Sequence, residues 1–229
     1  MPKKIRIAID GPAASGKSTT ARLVAKKLGY LHIDTGAMYR AITLAVIEER
    51  IDFRNETAAA EQAARCAIFL EQSENGNKVL LNGRDVTSAI RTPEVTNNVS
   101  VVSSYEGVRR VLVRRQRELA SGGGVVLEGR DIGTVVLPDA ELKIFMIADV
   151  AERARRRKKE LAASGIDADE SVLRKEIEER DRKDSTRIVS PLQKARDAVE
   201  LDTSHLTIEQ QVDAIALKAQ EIINSSCAE

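Results

Sequence analysis

No apolar run in this 229-residue chain approaches the roughly 20 residues that a bilayer-spanning helix needs, which excludes a helical membrane protein. The opening "MPKKIRIAID" has neither the long apolar stretch nor the small-residue cleavage site of a secretory signal, so cytoplasmic residence is the expectation. Cysteine is almost absent. Cys66 and Cys227 are too few for a disulfide framework, and reduced thiols are expected. Histidine is as scarce: with His32 and His205 alone, no Cys/His spacing resembles a zinc site, and any chemistry must run without a histidine pair. A net charge of +1 supplies no global field to recruit nucleic acid.

What is present is enough apolar material, 42% of residues, to bury a full core, together with arginines gathered in three places. These are "VRRVLVRRQR" (Val108 to Arg117), "ERARRRKK" (Glu152 to Lys159) and "ERDRKDSTR" (Glu179 to Arg187). Each reads either as a solvated helix face or as part of a set of cations converging on phosphates.

Strand and helix patterns alternate, which points to an α/β fold with a mainly parallel sheet. "IRIAID" reads as a buried strand, Ala21, Val24, Ala25 and Leu28 as one face of a helix stopped by Gly29, "YLHI" as a short strand, and Ala37 to Glu49 as a second helix. Between Asp52 and Val102 the rhythm breaks. There a helix, "ETAAAEQAARCAI", precedes short strands around "FLEQ", "KVLL" and "RDVT", with "ENGN" and Asn82-Gly83 as hairpin turns, so a small sheet is inserted. A helix from Glu106 to Ala120 is expected to turn Val108, Val111, Leu112 and Leu119 inward and to end at Gly122 to Gly124. "VVLEGRD" and "LKIFMIA" read as buried strands. Two helices, Val150 to Ala163 and Glu170 to Asp184, are too polar for a core and read as an exposed hairpin suited to act as a lid. "AVELD" and a helix from Ile208 to Asn224 complete the pattern.

The stretch "GPAASGKST" fits G-x-x-x-x-G-K-[ST] between a predicted strand and a predicted helix. Its glycines let successive backbone N–H groups curl around a phosphate at the positive end of the helix. Gly11, Pro12, Ala13, Ala14, Ser15, Gly16, Lys17, Ser18 and Thr19 are therefore the expected ATP-binding loop, with Lys17 reaching the β- and γ-phosphates and Ser18 coordinating Mg²⁺. Glu128, at the end of a predicted strand, and Asp10 compete as the carboxylate that supports the metal, and Glu128 ranks first. The loop leaves the phosphate acceptor open, since GTPases, motors and small-molecule kinases all use it. No N-K-x-D segment for guanine is present.

Several blocks together resemble the bacterial cytidylate kinases: "IAIDGPAASGKST", "DTGAMYRA", "LNGRDVTSAIRTPEV", "VRRVLVRRQR", "EGRDIGTVVLPDAELKIF" and "ERDRKDSTR". The resemblance implies a nucleoside monophosphate kinase fold and transfer of the γ-phosphate of ATP to CMP and dCMP. It implies that residues 1–36, 104–150 and 188–229 form the core, 37–103 the monophosphate-binding region with its small sheet, and 151–187 the lid. Arg40 and Arg130 would bind the acceptor's phosphate, where a guanidinium fork fits better than an ammonium. Thr35, Ser100, Arg109 and Asp131 would read the cytosine, Thr35 standing where serine is expected. Arg180, Asp184 and Arg187 would close over the acceptor and the transferred group. Lys17, Arg130, Arg180 and Arg187 are the expected catalytic set, in a monomer acting on free nucleotides without nucleic acid or membrane. Two plainer readings stand beside these: Arg130 and Asp131 as a surface ion pair in a turn, and Arg180 and Asp184 as an i, i+4 pair worth ~0.3–0.5 kcal/mol. A kinase for another monophosphate or a small metabolite, or a nucleic-acid-binding ATPase using "ERARRRKK", are the competing functions.

Overall fold

The computed structural model describes residues 4–73, 76–163 and 165–225; the first half of the "ENGN" turn and Cys227 lie outside them. The first strand, β1 (Arg6–Asp10), runs into the Gly-rich loop and then into α1 (Lys17–Leu28), which Gly29 ends in a left-handed conformation (φ 67°) as its position implies. β2 (Leu31–Asp34) passes directly into α2 (Thr35–Glu48), because the Asp34 carboxylate accepts the N–H of Ala37 and starts the helix two residues earlier than the apolar pattern indicates.

The insert follows. Helix α3 (Glu56–Arg65), capped by Asn55, leads to an antiparallel sheet of β3 (Ile68–Ser73), β4 (Gly76–Leu81) and β5 (Arg84–Asp85). Asn82 and Gly83 have φ of 51° and 82°, the positive pair that a tight hairpin turn demands. Then come α4 (Pro93–Val102) and α5 (Glu106–Ala120), the latter with the bounds its pattern predicts. Its inward face differs from expectation. Leu119 is 44% exposed and Val111 half-buried, because the buried stripe follows Val108, Arg109, Leu112, Gln116 and Ala120 and turns away from Leu119 in the last two turns. Two of those buried positions are polar, so an apolar count misjudges the face.

Strand β6 (Val125–Gly129) leads through a single π-helical turn (Ile132–Val136) to β7 (Leu142–Ile147). The hairpin of α6 (Val150–Ala163) and α7 (Glu170–Thr186) comes next, followed by β8 (Val199–Asp202) and α8 (Ile208–Ser225). The main sheet is parallel throughout, in the order β2-β6-β1-β7-β8. Alternation along β1 divides the core: Ile7 and Ile9 pack with Val24 of α1 and Ile215 of α8, whereas Ala8 joins Ile33, Ile42, Leu112 and Leu127 on the opposite face. Val79, Leu81, Val86 and Ile90 of the insert belong to that second cluster, so the small sheet shares its core with the large one. The α6–α7 hairpin has little apolar burial of its own, Ala154, Leu173 and Ile177, against which Ala14 of the Gly-rich loop packs. Among the described residues no helix is long and apolar enough to cross a membrane.

Helices α3 and α5 touch where Gly107 faces Ala60, and a Cβ built on Gly107 would lie 2.5 Å from the Ala60 methyl. Replacing it, Gly107→Val, should push the helices apart and cost about 1–3 kcal/mol, the usual penalty for overpacking. Urea unfolding checks this, and an unchanged midpoint would mean that the two helices do not meet there.

Candidate functional site

The phosphate loop spans the gap between β1 and α1. Gly11 approaches β7 so closely (φ 153°) that a Cβ there would sit 2.2 Å from the carbonyl of Met146. Gly16 precedes α1 with no capping side chain, so the first-turn N–H groups of the helix open into the loop beside the positive end of its dipole. Ala13 and Ser15 are buried, Pro12 and Ala14 half-buried, and Ser18 and Thr19 exposed at the mouth. Lys17 is 6% exposed, and its Nζ donates to the Pro12 carbonyl (2.7 Å) and the Ser15 hydroxyl (3.4 Å). Burial, and then the neighbouring Arg130, pull its pKa down to about 7.

Strand β6 ends beside this loop. The Ser18 hydroxyl donates to Glu128 Oε2 at 2.6 Å, and the other carboxylate oxygen of Glu128 meets His32 Nε2 at 3.0 Å. Burial works against the charge on Glu128, yet His32, Lys17 and Ser18 outweigh it and hold the carboxyl below its ordinary range. Asp34 is pushed the opposite way, by burial and by the charge of Glu128 beside it. Of the two carboxylates weighed from the sequence, Glu128 is the one that faces Ser18. Asp10 is committed elsewhere, with its oxygens accepting the N–H groups of Ile132 (2.8 Å) and Gly133 (2.7 Å). Burial pushes Asp10 up to about 6, with those two hydrogen bonds opposing the shift.

Next to Glu128 the chain turns, and Arg130 and Asp131 diverge instead of pairing with each other. Arg130 Nε donates to Asp184 Oδ2 of α7 at 2.8 Å. Asp131 forms a short ion pair with Arg109 of α5, both side chains about 5% exposed or less, and Arg187 approaches its second oxygen at 3.7 Å. Arg109 also donates to the Ser103 carbonyl (3.2 Å) and lies 5.4 Å over the Tyr39 ring. Arg180 does not pair with Asp184 as an i, i+4 surface couple would; its Nε is buried without a hydrogen-bond partner among the described residues. Burial, Arg130 and Arg40 lower its pKa to about 10. Asp184 is 5% exposed, and although burial pushes its carboxyl up, Arg130, Arg180 and Arg187 leave it below the ordinary value. Arg40, half-buried on α2, donates to Thr96 Oγ1 at 2.9 Å, and burial lowers its pKa.

Thr35 and Ser100 stand at the margin. The Thr35 hydroxyl donates to the Glu128 carbonyl at 2.6 Å, bridging α2 to the turn. Ser100 lies on α4 one turn before Ser103, whose hydroxyl donates to its carbonyl at 3.2 Å. The arrangement thus brings Lys17, Arg40, Arg109, Arg130, Asp131, Arg180, Asp184 and Arg187 around one centre, with Ser18 and Glu128 on the loop side.

Three contributors escape a local reading of the sequence. His32 is buried against Glu128, a contact that the scarcity of histidine does not reveal. Arg153 donates to the Ala13 carbonyl (3.1 Å) and to Asp181 (2.5 Å), and Asp181 in turn accepts the Ala13 N–H (3.2 Å). Arg156 reaches the Ser15 carbonyl (3.3 Å) and both oxygens of Thr203. The four arginines of the basic run "ERARRRKK" are paired within the fold, Arg155 and Arg156 with Glu152, Arg157 with Glu160 and Arg153 with Asp181.

The chain is similar to known proteins along nearly its whole length. The cytidylate kinase family model matches residues 7–221. A cytidylate kinase of Bacillus thuringiensis (strain Al Hakam) is 57% identical over 215 residues, which are 94% of this chain and 96% of that protein. The cytidylate kinase of Bacillus cereus (strain AH187) is similar to the same extent, 57% over 94% and 96% of the two chains. Among solved structures, a gluconokinase from Sinorhizobium meliloti 1021 superposes with a TM-score of 0.50 over 100% of this chain and 99% of its own, at 14% identity, a likeness of fold alone.

The Arg109–Asp131 pair should be costly to break from one side. Asp131→Ala leaves Arg109 buried with its charge uncompensated and should lower the unfolding free energy by about 3–5 kcal/mol, whereas Asp131→Leu combined with Arg109→Met should recover most of that loss. Chemical denaturation of the three proteins decides it.

Proposed function

The chain belongs to the cytidylate kinase family, and from that premise we propose that it transfers the γ-phosphate of ATP to CMP, and to dCMP, releasing ADP and the nucleoside diphosphate. The observation that carries this reading is the segment Glu128 to Asp131. Within four residues it sets one carboxylate against Ser18 of the phosphate loop and the other against Arg109, with Arg130 between them bound to Asp184. Donor and acceptor sides are joined by a single turn.

On this reading the loop N–H groups and Lys17 hold the β- and γ-phosphates of ATP, and Arg40 and Arg130 hold the phosphate of CMP. An oxygen of that phosphate attacks the γ-phosphorus in line as the bond to the β-phosphate oxygen breaks. The attacking group is already an anion, so no general base is required and the absence of a histidine pair is no obstacle. Lys17, Arg130, Arg180 and Arg187 meet the charge spread over the transferring group, and because they are fixed in advance they need little reorganisation. Asp131 accepts from the N4 amino group of cytosine, and Arg109 donates to N3 or O2, with Thr35 and Ser100 at the same edge.

Mg²⁺ fits the oxygen-only set formed by the Ser18 hydroxyl and Glu128, beside Asp34. Ser18 would coordinate it and Glu128 would hold its waters. When bound, the ion would offset the charge on the donor's phosphates. The division into a core, a monophosphate-binding region and a lid at residues 151–187 belongs to the same proposal. It is supported by the separate small cluster of Ala154, Leu173 and Ile177 in the α6–α7 hairpin. A monomer acting on free nucleotides in the cytoplasm belongs to the same proposal.

ADP release measured with CMP, dCMP, UMP, AMP, GMP and dTMP tests the reading: kcat/KM should be highest for CMP and dCMP, and a clear preference for any other acceptor overturns it. Lys17→Ala should lower kcat by about two or more orders of magnitude. Arg130→Ala should depress CMP and UMP alike, since every monophosphate carries the same phosphate. Asp131→Asn should instead narrow the CMP/UMP ratio in kcat/KM, because uracil presents an acceptor where cytosine presents a donor and a mismatched buried group costs ~1–3 kcal/mol.

A further inference from the structure

Three consecutive residues of the phosphate loop are held from outside the loop, Ala13 and Ala14 by the α6–α7 hairpin and Ser15 by the hairpin together with the Thr203 hydroxyl (3.1 Å). Both backbone groups of Ala13 are taken: its N–H donates to Asp181 Oδ1 (3.2 Å) and its carbonyl accepts from Arg153 Nη1 (3.1 Å). Ala14 sits in the left-handed region (φ 57°), unusual for a residue with a Cβ, and packs against the hairpin's apolar cluster. The Ser15 carbonyl accepts from Arg156. Arg153 and Asp181 close the arrangement on each other at 2.5 Å, with side chains 9% and 20% exposed, and Arg153 Nε is further fixed on the Ala148 carbonyl (3.1 Å).

Asp181 is the hinge of this arrangement because of its neighbours. Arg180 precedes it and lies among Arg130, Arg40 and Asp184; Asp184 follows three residues later, bound to Arg130. From Arg180 to Asp184, α7 therefore holds the donor loop through Asp181 and Arg130 through Asp184, and sets Arg180 beside Arg130 and Arg40. A helical turn is stiff, so a displacement of the loop at Ala13 moves Arg180 and Asp184 with it.

We propose that Asp181 is a positioning residue that couples the two nucleotide sites: it holds the phosphate loop at Ala13 and, through α7, makes occupation of the loop favour the arrangement of Arg180 and Asp184 that binds the acceptor. The coupling rests on the kinase reading given above; the hold on the loop does not. Asp181 touches neither nucleotide in this scheme and acts through Ala13, Arg153 and its own helix.

Two measurements on the full chain test it. The first is amide hydrogen exchange at Ala13, resolved by nuclear magnetic resonance without nucleotide. Asp181→Ala should accelerate exchange at that amide by about tenfold or more, and Asp181→Asn, which keeps an accepting oxygen, should restore most of the protection. The second is calorimetric binding of CMP with and without a non-hydrolysable ATP analogue. In the wild type the analogue should tighten CMP binding by about tenfold, within the usual ~5–150-fold range of coupled sites. In Asp181→Ala that factor should fall to about two or less, while CMP affinity without the analogue stays within about twofold of wild type.

Unaltered Ala13 exchange in Asp181→Ala overturns the proposal, as does an undiminished coupling factor. An equal loss of CMP affinity with and without the analogue also overturns it, since that is what a merely loosened hairpin would give. Should Asp181→Ala fail to fold because Arg153 is left unpaired, Asp181→Leu combined with Arg153→Met removes both charges and must give the same two results. If the wild type binds a monophosphate other than CMP, the function proposed above fails. The exchange measurement still decides the hold on the loop, and the coupling is then read with that monophosphate.

Discussion

The carboxylate of Asp10, 4% exposed at the end of the central strand, accepts the N–H groups of Ile132 and Gly133 and so determines where the chain turns after β6. The parallel register sets Asp10 opposite Gly129, which places the turn within reach. The directions of three charged side chains follow from that turn. Arg130 leaves it toward Asp184, Asp131 leaves it toward Arg109, and Glu128, one residue before Gly129, is left facing Ser18. A buried carboxylate is costly unless its lone pairs are filled, and here two backbone donors fill them. Asp10 therefore serves the site through backbone geometry.

Around that turn like charges are crowded together by the fold. Arg130 makes Arg40 and Arg180 harder to protonate, Arg40 does the same to Arg180, and Lys17 feels Arg130 and Arg180 in the same way. Asp131 and Asp184 offset part of this repulsion while leaving the centre cationic. Such an arrangement costs the folded state some stability, and an anion that enters it stabilises the protein by relieving the repulsion. The cationic surroundings are set by α2, α5, α7 and the turn after β6, so no single element could supply them. This is the preorganised charge that phosphoryl transfer uses.

Local structure was largely legible in the sequence, because helix periodicity, Gly29 and the Asn82-Gly83 turn act over a few positions. Helix α5 is bounded as its pattern implies, and the phosphate loop announces itself by spacing alone. The same helix shows where such legibility stops. Arg109 and Gln116 occupy buried positions and Leu119 an exposed one, an inversion that depends on what α5 packs against. The pairing of Arg130 with Asp184 spans 54 residues and that of Ala13 with Asp181 spans 168, distances over which neither periodicity nor propensity carries information. The family resemblance pointed to the arginines that gather around the turn after β6. It did not supply His32, Arg153 or the task of Asp10, which become visible only when their partners are placed.

The strand order has a consequence for how the polypeptide is made. The central strand β1 pairs with β6, at Arg6 and Val125, and with β7, at Ile7 and Leu142, so its partners emerge from a ribosome more than a hundred residues after it does. The phosphate loop, whose shape depends on Met146 behind Gly11, cannot be set before then. The inserted sheet is different: β3, β4 and β5 are antiparallel neighbours joined by short turns, and local pairing of that kind closes early. During synthesis the insert can thus settle first, while the nascent β1, an apolar strand without partners, stays exposed to chaperones and to other chains. The most functionally informative stretch of the protein is translated long before the strands that give it its shape.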